Sequence, residues 1–155
     1  MKGKTHIVIG LTLTVGAGIL LEFNLVEYAI AAIYSVSGSL LPDIDHPGSL
    51  AGQLCPFLSI PINRKFGHRS ITHSLVSLLV FTIVTICIGT LDAAIGLFCG
   101  YLGHIIADML TPSGVALFYP LTKKRISIGN IKTGSDGEQG VAVALFLIVL
   151  WMAFK

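Results

Sequence analysis

The amino-acid sequence predicts an all-α integral membrane protein, a helical bundle of about four to five spans with two cytoplasmic loops. The first reason is composition: 54% of the 155 residues are hydrophobic, only 12% are charged, and the mean hydropathy is +0.85. The second is that the apolar residues form five runs, and the third is that the basic residues gather between alternate runs. We therefore expect one membrane-embedded domain over residues 1–155.

The five apolar runs are each about 14 to 18 residues long, at or below the roughly 20 residues that cross a standard bilayer. Flanking residues must therefore extend the helices, or the bilayer must thin, or one helix must be re-entrant, and the first and last runs meet the length requirement least well. No small-x-small cleavage site follows the basic start, so we expect the first run to stay in the protein. The runs comprise residues 7–21, 25–41, 74–91, 93–110 and 141–154.

Positive charge predicts the orientation of the bundle. If the five runs alternate in direction, every Lys and Arg except Lys155 falls on one side. By the positive-inside rule that side is cytoplasmic, and it contains the N-terminus and the two long loops, residues 42–73 and 111–140. The formal net charge of +2 is too small, and the basic residues too scattered, for a nucleic-acid surface.

The two long loops also have apolar stretches. In the first loop, residues 54–62 lie among prolines and glycines, and we expect them to form a re-entrant or interfacial segment over the bundle. In the second loop, residues 126–131 are expected to contribute to a small hairpin or strand pair.

The sharpest local signal is the pair His104 and Asp108. A spacing of four in a helix places the imidazole and the carboxylate on one face, one turn apart, so that both can bind one metal ion. The alternative is a His–Asp hydrogen bond that only stabilises the helix. Gly96, Gly100 and Gly103 precede the pair and permit a neighbouring helix to approach closely.

A second cluster, Asp43, Asp45 and His46, lies between two prolines. The prolines end the preceding helix and favour an extended chain, in which Asp43 and Asp45 point the same way. Two carboxylates that close repel each other unless a cation or a proton lies between them, which favours a divalent metal. An acidic helix cap or an Asx turn is the alternative.

Further polar residues fall on the same predicted side. His68, Arg69 and His73 lead into the third apolar run, where imidazole can bind a metal and guanidinium can bind a carboxylate or phosphate oxygen. His6 begins the first run. Glu138 lies in a polar turn, where it would serve as a further ligand or general base unless the turn is simply solvated.

With these elements the chain resembles the YdjM-like family of small bacterial and archaeal membrane proteins, described as membrane-bound, metal-dependent hydrolases. The ordered His, Asp and HxxxD elements also look distantly like zinc-dependent phospholipase C. The elements that carry the family resemblance cover nearly the whole chain, at residues 4–6 (Lys-Thr-His), 41–47 (Leu-Pro-Asp-Ile-Asp-His-Pro), 68–74 (His-Arg-Ser-Ile-Thr-His-Ser), 103–108 (Gly-His-Ile-Ile-Ala-Asp), 110–114 (Leu-Thr-Pro-Ser-Gly) and 133–135 (Thr-Gly-Ser).

The resemblance implies a hydrolase in the cytoplasmic membrane of a bacterium or archaeon. We expect one or more divalent metals, with zinc favoured by the imidazole-rich set and manganese or iron as alternatives. Metal-activated water would attack a lipid or lipid-linked phosphoester; Asp43 or Glu138 would take its proton, and Arg69 would steady a phosphate oxygen. The implied metal ligands are His6, Asp45, His46, His68, His73, His104 and Asp108.

Two other functions are compatible with the same residues. A divalent-metal carrier or metal sensor would use the ligands without hydrolysis, although transporters usually place polar residues near the bilayer midplane and here they gather at one end. A non-catalytic structural or regulatory membrane protein would use the clusters only to link helices, and would hold no stoichiometric metal.

Overall fold

The computed structural model describes residues 1–153, and it confirms the all-α fold class. The described residues form seven α-helices and two 3-10 turns, Leu41–Asp45 and Ile71–His73. Their only β pairing is an isolated antiparallel bridge between Val115 and Ile126, in place of the expected hairpin. The helices are α1 (Gly3–Leu20), α2 (Leu25–Leu40), α3 (Leu50–Leu54), α4 (Pro56–Phe66), α5 (Leu75–Ile88), α6 (Leu91–Met109) and α7 (Asp136–Ala153).

Three helical segments of the described chain are long and apolar enough to cross a membrane: Gly3–Leu20, Leu25–Asp45 and Leu91–Met109. Helix α5 is apolar but has only 14 residues, about 21 Å at 1.5 Å per residue. The fifth apolar run lies in α7, which begins earlier, at Asp136; residues 154 and 155 lie outside the described residues. The span count is therefore roughly that expected from the sequence.

Helix α6 lies at the centre of the bundle. Its span is 72% buried, compared with 33% for the α1 span and 28% for the α2 span. Glycines make this packing possible, because a Cβ atom on Gly96 or Gly100 would overlap the backbone carbonyls of Ala31 and Ser35. The close helix approach predicted from these glycines is confirmed.

The two long loops cover the same end of the bundle. The Ile128 N–H donates to the Met109 carbonyl at 2.8 Å, which satisfies an acceptor that the end of α6 leaves open. The Ala116 N–H donates to the Arg69 carbonyl at 3.1 Å and joins the second loop to the first. The segment expected to be interfacial is helical, and Leu54 and Phe57 are largely exposed there.

Candidate metal centre

Four side chains converge beneath these loops. Their donor atoms are His73 Nε2, His104 Nε2, Asp43 Oδ1 and Asp108 Oδ2. The two Nε2 atoms lie 3.1 Å apart. Asp108 Oδ2 lies 3.4 Å from His73 Nε2 and 3.7 Å from His104 Nε2. Asp43 Oδ1 lies 3.7 and 3.6 Å from the same two nitrogens. Each carboxylate oxygen thus lies within 3.7 Å of both imidazole nitrogens.

This arrangement fits a divalent metal. An ion with four ligands at about 2.0–2.1 Å separates neighbouring donors by about 3.3 Å, and the donor separations given above are 3.1–3.7 Å. Two imidazole nitrogens that face each other at 3.1 Å repel unless a proton or a cation lies between them. Asp108 Oδ2 is buried and has no hydrogen-bond partner among the described residues. A buried carboxylate oxygen without a partner is costly, and a metal ion would supply the missing one.

Hydrogen bonds behind the two imidazoles orient them toward the carboxylate oxygens. His104 Nδ1 donates to the Ser39 carbonyl at 2.7 Å, so the proton lies on Nδ1 and the Nε2 lone pair faces the other donors. His73 Nδ1 lies 3.0 Å from Thr72 Oγ1 and 3.4 Å from Asp45 Oδ2. Ser39 and Thr72 were not expected from the sequence, because a backbone carbonyl and a single hydroxyl carry no distinguishing pattern.

Asp45 lies behind the four converging donors. Its Oδ2 accepts hydrogen bonds from Thr72 Oγ1 at 2.5 Å and from the Arg69 N–H at 3.0 Å, and its Oδ1 accepts from His68 Nδ1 at 2.7 Å. The expectation of an extended chain through Asp43 and Asp45 was wrong, because residues Leu41–Asp45 form a 3-10 turn that contains Pro42. The two carboxylates still lie close together, each with one oxygen within 4.8 Å of the other, as expected from the sequence.

Asp45 and His68 nevertheless belong to a second group of potential ligands. One donor atom from each of Asp43, Asp45, His68 and His73 lies within 4.8 Å of the others. His68 is 31% exposed, whereas Asp45 is fully buried. This group shares Asp43 and His73 with the first, so the polar cluster is continuous.

His6 lies against the other side of the centre. Its ring stacks on the His104 ring, with centroids 3.7 Å apart and an interplanar angle of 10°. His6 Nε2 lies 3.6 Å from Asp108 Oδ1, and its buried Nδ1 has no hydrogen-bond partner among the described residues. His6, His104 and Asp108 form a third possible ligand combination.

Arg69 holds the outer oxygen of Asp108. Its Nη2 donates to Asp108 Oδ1 and its Nη1 to Thr111 Oγ1, both at 2.8 Å. The Met1 amino group also lies 2.8 Å from Asp108 Oδ1. These charge-assisted bonds leave Oδ2 directed toward the imidazoles.

Two predicted site residues lie outside the groups of converging donors. His46 is exposed, and its Nδ1 accepts a hydrogen bond from the Gly48 N–H at 3.1 Å. Glu138 is buried, with Oε1 accepting from Thr5 Oγ1 at 2.7 Å and Oε2 from the Gly134 N–H at 2.6 Å. The first residue borders the cluster at the surface, and the second links α7 to the start of α1.

The centre carries more negative than positive charge unless protons or cations balance it. Burial by itself lowers the pKa of His73, but the carboxylates of Asp108, Asp43 and Asp45 around its ring outweigh burial and raise that pKa to about 10. His73 thus lies in surroundings that demand a positive charge. A divalent cation would meet the same demand, and its binding would displace protons.

Apolar helices that enclose a polar end define a class, the helical integral membrane proteins, here with a buried centre of histidine and aspartate. The chain matches the family model described as YdjM inner membrane protein over residues 1–155. It therefore belongs to the YdjM family and is a membrane protein.

Individual relatives agree with this assignment. The chain is 44% identical over 120 residues to the inner membrane protein YdjM of Escherichia coli, which covers 73% of the chain and 61% of that relative. It therefore matches about three fifths of the length of this relative. It is 37% identical over 149 residues to the uncharacterized protein YvsG of Bacillus subtilis, covering 95% of the chain and 91% of YvsG. No solved structure matches the chain.

Proposed function

We propose that the protein is a metal-dependent hydrolase that acts at the cytoplasmic face of the inner membrane on a lipid or lipid-linked phosphoester. The observation that carries the proposal is the set of four converging donors on His73, His104, Asp43 and Asp108, with one buried carboxylate oxygen left unpartnered. The centre lies at the end of the bundle where the basic loops lie, which supports a cytoplasmic N-terminus.

The donor set narrows the choice of metal. Two imidazoles suit zinc, and two carboxylates suit manganese or iron equally well. A catalytic zinc centre has three protein ligands and a position open for water, so His73, His104 and Asp108 would hold the metal and Asp43 would lie beside the water. Asp43 is the donor that reaches solvent, at 21% exposure, so water and substrate approach from its side. Zinc is our first candidate, with manganese and iron tested beside it.

The protein's own groups have distinct roles in this proposal. When bound, a divalent metal supplies Lewis acidity, which lowers the pKa of water and polarises a phosphoryl group. Asp43 borders solvent and is placed to take the proton of the attacking water. Glu138 is a weaker choice as base because both of its oxygens accept hydrogen bonds elsewhere. Arg69 orients Asp108 and, in this arrangement, has its guanidinium engaged there.

Metal stoichiometry tests the centre. Protein purified in mild detergent without a His tag should contain about one zinc, manganese or iron ion per chain by elemental mass spectrometry. The double variant His104→Ala/Asp108→Ala should lose it. The matched control His46→Ala/Asp136→Ala removes the same residue types outside the four donors and should keep it. Wild-type protein without metal after reconstitution, or metal loss in the control, would contradict the assignment.

Turnover tests the hydrolase. Metal-loaded protein in proteoliposomes should release phosphate or headgroup from at least one of a panel of radiolabelled phospholipids and lipid diphosphates. The His104→Ala/Asp108→Ala variant, inserted at the same level, should not. Metal-loaded wild type that hydrolyses none of the panel, but carries zinc across the membrane, would replace the hydrolase with a metal carrier.

A further inference from the structure

A cavity of about 330 Å³ lies beside the centre, between the start of α1, the end of α2 and α3. Ile7, Leu40 and Leu50 line it with apolar side chains, and Asp43 and Lys4 line it as well. The volume falls at the lower end of the about 300–1,000 Å³ typical of ligand pockets. It is large enough for a segment of a ligand rather than for a whole lipid.

Exposure of the donors indicates that this cavity is the route to the centre. Asp43 is 21% exposed, whereas the side chains of His73, His104 and Asp108 are at most 1% exposed. A molecule that reaches the donors must therefore pass Asp43, and Asp43 is one of the residues that line the cavity.

The lining selects a chemical class of ligand. Apolar walls favour a hydrocarbon chain, because burying methylene groups removes them from water. The exposed Lys4 attracts an anionic group at the same place. Beyond Leu50, which is 60% exposed, the exposed side chains of Leu54 and Phe57 continue the apolar surface along α3 and α4. An apolar chain next to an anion is the structure of a lipid with a small phosphate headgroup.

We propose that this cavity binds the headgroup-proximal part of such a lipid chain, with Lys4 contacting the phosphate beside Asp43. The proposal deepens the proposed function and rests on it for the identity of the anion as a phosphate. Binding itself requires no turnover, so it can be measured separately.

Photo-crosslinking tests the occupancy of the cavity. The probe is phosphatidic acid with a diazirine on its acyl chain, added to detergent-purified protein, and the labelled peptides are mapped by mass spectrometry. Wild type should be labelled within residues 3–7 and 40–51. Gly3→Leu should lower the labelling about tenfold, since Gly3 lines the cavity, a Cβ there lies 3.5 Å from Leu40 Cδ2, and the added side chain takes up part of the space.

The matched control is Gly16→Leu on the same helix. A Cβ on Gly16 also meets a side chain at 3.5 Å, Met152 Cε, but Gly16 does not line the cavity. This variant should label as wild type does. Equal labelling of the Gly3 and Gly16 variants, or wild-type labelling elsewhere on the chain, would overturn the proposal.

A second arm tests recognition of the anion. Lys4→Glu should lower labelling by phosphatidic acid, whereas Lys124→Glu, an exposed charge reversal in the second loop, should not. A diazirine diacylglycerol, which lacks the phosphate, should label weakly. Equal labelling by both probes would overturn the role of Lys4, and full displacement of the lipid by an equal concentration of inorganic phosphate would overturn the role of the chain.

The two proposals fail separately. Labelling is measured in His104→Ala/Asp108→Ala, which cannot hold the metal as proposed, and should persist there. Cavity labelling without any hydrolysis supports this inference and counts against the hydrolase. Hydrolysis with no labelling of the cavity supports the hydrolase and overturns this inference.

Discussion

Asp108 and Glu138 are both buried carboxylates at the same end of the bundle, yet their surroundings differ. The oxygens of Glu138 accept hydrogen bonds from Thr5 and from the backbone N–H groups of Lys2 and Gly134. Asp108 has one oxygen held by Arg69 and the other buried without a hydrogen-bond partner among the described residues. The chain supplies hydrogen-bond donors to both oxygens of Glu138, whereas it leaves Asp108 Oδ2 without one among the described residues.

In the proposed metal centre, this difference would separate a structural carboxylate from a ligand. A carboxylate whose acceptor sites are filled joins parts of the chain and has no capacity left for a metal. An oxygen that is buried, unpartnered and faced by imidazoles is costly in the protein alone and favourable once a cation is bound. Matched variants at these two positions test this distinction.

The largest expected effect is on metal content. Asp108→Asn removes the charge of the unpartnered oxygen while it keeps the shape, and metal bound per chain should fall by more than about tenfold. Glu138→Gln should bind metal as wild type does. Elemental mass spectrometry of both variants, purified identically, measures this; equal metal content would erase the distinction.

The next largest effect is on stability with and without metal. A metal at a hundred times its Kd should stabilise wild type by about 2.7 kcal/mol, so chelation should lower Tm. Glu138→Gln should show the same shift on chelation, and Asp108→Asn should show none. Thermal unfolding in detergent measures both, and a chelation shift in Asp108→Asn would show that the metal lies elsewhere.

A smaller effect is expected behind the centre. Thr72→Val removes the hydroxyl that donates to Asp45, and metal affinity should fall about 10- to 100-fold while saturating metal still restores full occupancy. Thr85→Val is the control, because Thr85 is equally buried, at 6%, and its hydroxyl donates to the Phe81 carbonyl of its own helix. Competition with a fluorescent chelator measures the metal affinity of both variants. Equal affinities would show that the Thr72–Asp45 contact does not position His73 for the metal.

The smallest expected effect is the pH dependence of the stability that Glu138 contributes to the fold. Burial raises the pKa of Glu138, but the backbone N–H groups of Gly134 and Lys2 outweigh burial and lower that pKa below its usual value. Because the pKa of Glu138 is lower in the folded state, its charged carboxylate stabilises the fold fully at pH values above the pKa of the unfolded state, about 4.3. This stabilisation is lost as the pH falls through the pKa of the folded state. Glu138→Gln should therefore cost about 1–3 kcal/mol near neutral pH, and the difference from wild type should narrow in acid.

Thermal unfolding of wild type and Glu138→Gln across this pH range measures the narrowing. Asp136→Asn, an exposed acid in the same turn, serves as the control and should change stability little at any pH. A difference between wild type and Glu138→Gln that stays constant from about pH 7 to about pH 3 would show that the charge of Glu138 is not what stabilises the link.

Local patterns in the sequence were sufficient to predict the helices and the proximity of His104 and Asp108 on one helix face. The apolar runs locate the helices, and a spacing of four within one helix fixes which side chains share a face. Asp43 and Asp45 could not be assigned in this way. Whether two carboxylates separated by one residue converge depends on the 3-10 turn that contains them. The rule that alternate residues share a face applies only to an extended chain.

The individual contacts between residues far apart in the chain could also not be predicted from the sequence. His73 meets His104 from 31 residues away, and His104 meets the Ser39 carbonyl from 65 residues away. Only the packing of α6 against its neighbours brings these groups together. The residue types predict a metal site, whereas the division between residues that would bind the metal and residues that would only support them depends on the fold.

The 3-10 turn Leu41–Asp45 would have a kinetic consequence for the proposed metal centre. His104 and Asp108 lie on α6, the most buried helix of the three spans, whereas Asp43 lies on a short turn and is partly exposed. Short exposed segments open far more readily than packed helices. The rate at which the ion exchanges with solution would then be set by opening of this turn, and the protein would release its metal without unfolding the bundle.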